Sequence, residues 1–189
     1  MARNRLKSTV ACGLITLAFG GVLAGCGSHE EPGVDEPARE GLTVDIAGVE
    51  YTVFLTRQLN LAITPDKAYY QGPPAGNDSA LFGVFLTACN PENSGESLTA
   101  TSDFVVEDNQ GNEFEPVELP EENEFGYHPV ELAPADCIPA AGSVAEQGPT
   151  AASMLLFDFP LESTENRPLE LTITGPAGSG ESKTVELDL

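Results

Sequence analysis

The sequence predicts an all-β domain: two packed antiparallel sheets with about eight strands, over residues 41–189. Three observations carry this. Apolar residues recur at every second position in several short segments, the period of a strand with one packed and one wet face. Turn-forming clusters separate those segments. The chain holds 19 glycines and 15 prolines, and no stretch supports a long amphipathic helix.

Leu42, Val44 and Ile46 open the pattern, and Ala47-Gly48 reads as a turn. Tyr51, Val53, Leu55 and Leu59 continue at even spacing, with Arg57 interrupting. ALFGVFLTAC, residues 80–89, is apolar at both parities and reads as a central strand whose inward face is masked. SDFVVEDNQGNEFEPV is a hairpin turning at Asp108, Asn109, Gln110 and Gly111. SMLLFDF is a buried run stopped by Pro160, with Asp158 outward, opposite to Phe157 and Phe159. Leu169, Leu171 and Ile173 alternate with Glu170 and Thr172, and Val185, Leu187 and Leu189 with Glu186 and Asp188. GPAGSG, residues 175–180, is the turn between those two strands, so Glu170, Glu186 and Asp188 share a wet face. The expected core includes Leu55, Phe82, Val84, Leu86, Val106, Leu156, Leu171 and Ile173.

The first residues have a different character. Arg3, Arg5 and Lys7 precede an uncharged stretch from Val10 to Gly25, the length of a signal core and short for a membrane span. Leu23-Ala24-Gly25-Cys26 then resembles the lipobox of bacterial lipoproteins. That resemblance implies cleavage after residue 25 and lipidation of Cys26. Two or three acyl chains, each methylene adding about 0.8 kcal/mol, would hold the chain firmly at a membrane. The expected location is the extracytoplasmic face of the cell membrane, or the outer membrane in a two-membrane cell. Residues 26–40, rich in Glu, Gly and Pro and containing His29, read as a flexible acidic tether.

The chain carries 30 acidic and 8 basic residues, a formal charge of −22. Beyond residue 25 all the acids remain, with five cations: Arg39, Arg57, Lys67, Arg167 and Lys183. Such a balance excludes nucleic acid as a partner, since phosphates need cations. It points to a solvated, repulsive surface and to weak calcium association at most. EDNQGNE, residues 107–113, and Glu118, Glu121, Glu122 and Glu124 are where such association would concentrate.

The ordered segments YTVFL, LFGVFLTACNPENSGESL, DFVVEDNQGNEFEPV and FDFPLESTENRPLELTI resemble the immunoglobulin-like domains of unknown function on secreted and lipid-anchored bacterial proteins. Asn90 matches an asparagine-containing turn after the central strand; Asp108, Gly111 and Phe114 match a D-x-x-G-x-x-F turn. The resemblance implies an immunoglobulin-like sandwich and brings no catalytic residues. The acidic stretch 118–124 departs from the pattern as an insertion.

Cys12 belongs to the leader, so Cys89 and Cys137 remain as an even pair in an oxidising setting and are expected to form a disulfide. No CxxC spacing favours redox chemistry and no cysteine–histidine set favours zinc. His128 is the one histidine of the domain, read as an exposed loop residue, and no G-x-S-x-G elbow, H-E-x-x-H or phosphate loop occurs. No cofactor, metal ligand set or catalytic residue is assigned. Tyr69 and Tyr70, in a proline-rich connection, with Tyr127 and His128, form the candidate recognition surface. These features favour a non-enzymatic binding or accessory domain facing an envelope protein or other ligand. A structural envelope protein and a carboxylate- or histidine-dependent hydrolase are the alternatives.

Overall fold

The structure is a computed structural model that describes residues 31–34 and 36–189. The expected leader, Cys26 and the tether through Glu30, with His29, lie outside the described residues. The twelve strands are β1 (Ala38–Arg39), β2 (Thr43–Ile46), β3 (Val49–Gln58), β4 (Ser79–Cys89), β5 (Leu98–Thr99), β6 (Asp103–Glu107), β7 (Glu113–Phe114), β8 (Glu131–Leu132), β9 (Cys137–Ile138), β10 (Ser153–Pro160), β11 (Leu169–Thr174) and β12 (Ser182–Leu187). One helical turn, α1 (Asp66–Tyr69), follows β3.

One sheet runs β1-β12-β11-β6-β7, with β1 parallel to β12 and the rest antiparallel. The second runs β10-β4-β3-β2, with β9 beside the end of β4, and β5 and β8 pair separately. The fold is therefore an all-β, sandwich-like domain of open sheets. Four short strands that the sequence pattern does not predict, β1, β5, β8 and β9, take the count among the described residues beyond the expected eight.

The main core lies between the two large sheets. Val44, Ile46, Val49, Tyr51 and Val53 from β2 and β3 meet Phe104, Val106, Leu171, Ile173 and Val185 of the facing sheet. The β2–β3 turn explains the entry geometry. Ala47 and Gly48 both have positive φ (52° and 84°), the handedness a two-residue hairpin needs.

The masked inward face of β4 has a direct explanation: both faces are covered. Phe82, Val84 and Leu86 enter the main core. Leu81 and Phe85, with Met154 and Leu156 of β10, face a second apolar cluster roofed by loops: Leu59, Tyr69, Val117, Leu119 and Phe125. Leu156 thus belongs to this second layer. So does Leu55, because the β3–β4 register slips between Val53 and Leu55. Phe54 is the extra residue of that bulge and stands 46% exposed, and the parity of β3 reverses after it.

The acidic insertion covers an edge. The Val117 amide donates to Leu156 O (2.6 Å), Met154 N to Phe125 O (2.7 Å) and Tyr127 N to Met154 O (2.9 Å). Residues 118–124 arch between these anchor points, closing part of the open side of β10.

The last part of the stretch expected to be a flexible tether, from Glu31 to Glu40, is packed against the domain. From Glu31 the chain is docked on β12: Thr184 N donates to Gly33 O (2.9 Å), and the buried Lys183 ammonium donates to Glu31 Oε2 (2.7 Å). Ala38 is buried opposite Val185. Cys89 and Cys137 form the disulfide, as directly opposed residues of β4 and β9. Cys137 sits in a short strand, where the sequence suggests only a connection.

Candidate functional site

Two neighbouring grooves flank the 115–129 strap. The smaller, about 490 Å³, lies between the segment after α1 and the strap, with Tyr70, Gly72, Glu118, Glu122, Glu124 and Phe125 among its walls. The larger, about 710 Å³, opens between the side of β6 and the side of β10. Its walls include Asp103, Val105, Glu115, Glu118, Glu121 and His128. Glu118 belongs to both, and no lysine or arginine lines either.

The walls of the smaller groove are tied together by one residue. The Asn123 carboxamide donates to Tyr69 O (3.0 Å) and accepts from the amides of Phe125 and Gly126 (3.0 Å each). The Tyr69 ring packs edge-on against Phe125 and Phe85, each with centroids 4.9 Å apart. The Tyr70 ring folds over Gly72: a β-carbon there would collide with the Tyr70 hydroxyl.

The four residues of the expected recognition surface therefore divide. Tyr70 is half-buried and lines the smaller groove. Tyr69 is 1% exposed; its ring fills the second apolar layer, so it is no surface platform. Its hydroxyl is buried with no hydrogen-bond partner among the described residues. Tyr127 is also buried, its hydroxyl donating to Thr101 O (2.9 Å) while the Thr101 amide donates to the Tyr51 hydroxyl (2.8 Å). Burial, then the neighbouring Tyr51, pushes the Tyr127 phenol far up, so it holds its proton at neutral pH. Tyr127 is nonetheless among the residues lining the larger groove.

His128 is half-buried rather than fully exposed, packed over Gly126 with Nε2 3.3 Å from Asn123 O. It lines the larger groove at the strap's end, where Gly126, with no side chain, leaves room for the ring. The ring's hydrogen bond among the described residues runs to that backbone carbonyl, a contact that fixes the ring's orientation.

The 107–113 turn is organised around a carboxylate, in the opposite sense to a cation site. Asp108 accepts from the amides of Gln110 (2.9 Å) and Asn112 (3.0 Å) and from the carboxamides of Asn112 (2.9 Å) and Asn166 (3.0 Å). Burial pushes the Asp108 carboxyl up, but these four donors together outweigh it and hold the group well below the usual carboxylate range. Nitrogen donors aimed at both oxygens occupy the lone pairs that calcium would need. Among the described residues no group of three or more His, Cys, Asp or Glu side chains is arranged to hold a metal ion.

Sequence reasoning missed Phe125 and Asn123, which build the smaller groove. The signal is an aromatic directly after a run of acids, in a chain whose most apolar strand has two faces to cover. Among the described residues no helix is long and apolar enough to cross a membrane.

No protein-family model and no curated protein matches the chain. Solved structures do. The yjhA protein of Bacillus subtilis is similar with a TM-score of 0.51 and 14% identity, over 79% of this chain and 99% of that one. A candidate lipoprotein of B. subtilis, ycdA, gives 0.48 and 13%, over 77% of this chain and 38% of its own. An uncharacterized β-sandwich protein of Clostridium difficile gives 0.44 and 15%, over 84% and 100%. At these identities the likeness to yjhA shows the fold alone, a small β-sandwich-like domain.

Proposed function

We propose that the chain is a non-enzymatic binding domain, lipid-anchored through Cys26 at the outer face of the cell membrane, with an immunoglobulin-like sandwich as its scaffold. The anchor rests on the lipobox resemblance at residues 23–26. The immunoglobulin-like reading rests on the ordered motifs and on two facing, largely antiparallel sheets. The recognition surface is the strap and its two grooves. The observation that carries this is a pair of concave, acid-walled surfaces at the open side of the sandwich.

Two experiments test the reading. Cys26→Ser should abolish labelling by a fatty-acid probe and release the chain from the membrane; unchanged labelling removes the anchor. Photo-crosslinking residues placed at Tyr70 and His128, in the intact envelope, should capture a specific partner. The same group at Thr172, on the outer face of β11, should not. Equal capture from both faces, or from neither, removes the recognition surface.

A further inference from the structure

We propose that the two grooves together take an extended basic peptide segment, one of whose arginine or lysine side chains lies between Tyr70 and Phe125. This deepens the recognition-surface reading above and rests on it.

Three observations converge. The first is charge. Seven side-chain groups on the groove walls are ionisable acids or bases apart from tyrosine: Asp103, five glutamates at 115, 118, 121, 122 and 124 and a single histidine, with no lysine or arginine among them. An anionic or strongly hydrophobic partner would leave these carboxylates unpaired on association; a cationic one relieves their mutual repulsion.

The second is the aromatic pair. Tyr70 and Phe125 are both half-buried and both line the smaller groove, beside Glu118, Glu122 and Glu124. Ring faces next to carboxylates suit a cation on an apolar stem: the stem packs on the rings, and the charge is shared by ring quadrupole and carboxylate. The Asn123 hydrogen bonds and the Tyr69–Phe125 packing fix both walls in advance, so little ordering remains to oppose binding.

The third favours a polypeptide over a free small cation. On β6, β7 pairs only with Val106 and Glu107, which leaves Asp103–Val105 without a strand neighbour on the side away from β11. Those same residues form a wall of the larger groove. An unpaired strand edge at the floor of an acidic groove recognises an extended main chain, while the acids select its side chains.

The test uses the chain from residue 27 onward without its lipid and a dye-labelled decapeptide of alternating arginine and threonine, at low salt. The basic peptide should bind and slow amide exchange at residues 103–105. Tyr70→Ala should weaken binding about threefold, the size of an exposed cation–π contact. Tyr70→Phe should restore it. The double change Glu122→Gln and Glu124→Gln should weaken binding by roughly as much again, as lost partly exposed charge pairs do. Glu170→Gln with Glu186→Gln, on the outer face of β11 and β12 and outside both groove walls, should change it little. Equal weakening by that remote pair would mean counterion condensation and overturns the proposal. Spermidine or arginine amide binding as tightly as the peptide overturns the peptide claim in favour of a small-cation pocket. If instead a threonine–valine or glutamate–threonine peptide binds and Tyr70→Ala weakens it, the basic partner is wrong while the recognition surface stands. If no peptide binds, the proposal falls, and the crosslinking experiment decides the wider reading separately.

Discussion

Replacing Glu170 with lysine should stabilise the domain, and replacing its neighbour Glu186 with lysine should not. The register places Glu113, Glu107, Glu170, Glu186 and Arg39 in one row across β7, β6, β11, β12 and β1. Directly opposed residues share a face, so four carboxylates and one guanidinium stand side by side on the outer surface. Glu170 has a glutamate on each side; Glu186 has Glu170 on one side and Arg39 on the other. With charges about 6 Å apart in water and a screening length of about 8 Å, each neighbour contributes roughly 0.3 kcal/mol. Glu170→Lys turns two repulsions into two attractions, a gain of about 1 kcal/mol. Glu186→Lys gains on the Glu170 side what it loses on the Arg39 side and nets near zero. For a domain of this size 1 kcal/mol moves the melting temperature by about 2–4 °C. The assay is a set of thermal melts at three ionic strengths. The Glu170→Lys gain should roughly double near 0.01 M salt and nearly vanish near 1 M, where the screening length is about 3 Å. The reasoning is refuted if Glu186→Lys stabilises as much as Glu170→Lys. Total charge, not the row, would then be the operative quantity.

The disulfide closes a span of 48 residues, so Cys89→Ala with Cys137→Ala should cost about 4 kcal/mol in the chain-entropy estimate, read from denaturant midpoints under non-reducing conditions. Asp108 governs part of the acid limb. A carboxyl held below its unfolded range contributes stability that is complete above about pH 4 and is lost as pH falls further. Asp108→Asn should therefore melt lower than the parent at pH 7 and converge toward it below pH 4; a constant offset across pH would contradict the role. Glu40 has the opposite sign, because burial raises its carboxyl and the Asp188 amide, which donates to Oε1 (3.2 Å), offsets only part of the rise, so its ionised form costs stability as pH climbs past the ordinary carboxylate range. Phe54→Ala, at the exposed bulge, should stay within about 0.5 kcal/mol of the parent, whereas Phe157→Ala, fully buried and stacked on Phe159, should cost about 3–5 kcal/mol. Similar losses at both positions would place the bulge elsewhere in β3.

The parts of the fold legible in the sequence are those where one strand face is wet. β11 and β12 alternate cleanly, so their hairpin, the 175–181 connection and the outward Glu170 and Glu186 follow from period two alone. Asp158 faces outward between Phe157 and Phe159 for the same reason. Legibility fails where the period is interrupted or too short to exist. A single extra residue at Phe54 moves Leu55 from one apolar layer to the other, and no local feature of TVFLTR marks it. Pairs such as Ala38–Arg39 or Cys137–Ile138 contain at most one full period, so their pairing is decided by distant partners on β12 and β4.

The candidate site was hidden by a related ambiguity, and the reason is instructive. An apolar run at both parities, as in β4, requires cover on both faces; the facing sheet supplies one, and something else must supply the other. In this chain that cover comes from connections: Leu59, Leu61 and Tyr69 after β3, and Val117, Leu119 and Phe125 in the 115–129 strap. A tyrosine in a proline-rich connection is therefore first a candidate for that cover, and Tyr69 is used so. Its neighbour Tyr70 is then displaced to the outer surface of the cover, next to the strap that supplies Phe125. The acids of the insertion cannot enter the same layer, since burying unpaired carboxylates costs several kcal/mol each, and so they rim the surface where the cover ends. The juxtaposition of aromatic rings with carboxylates is thus a consequence of how an open-edged sandwich closes its second apolar face.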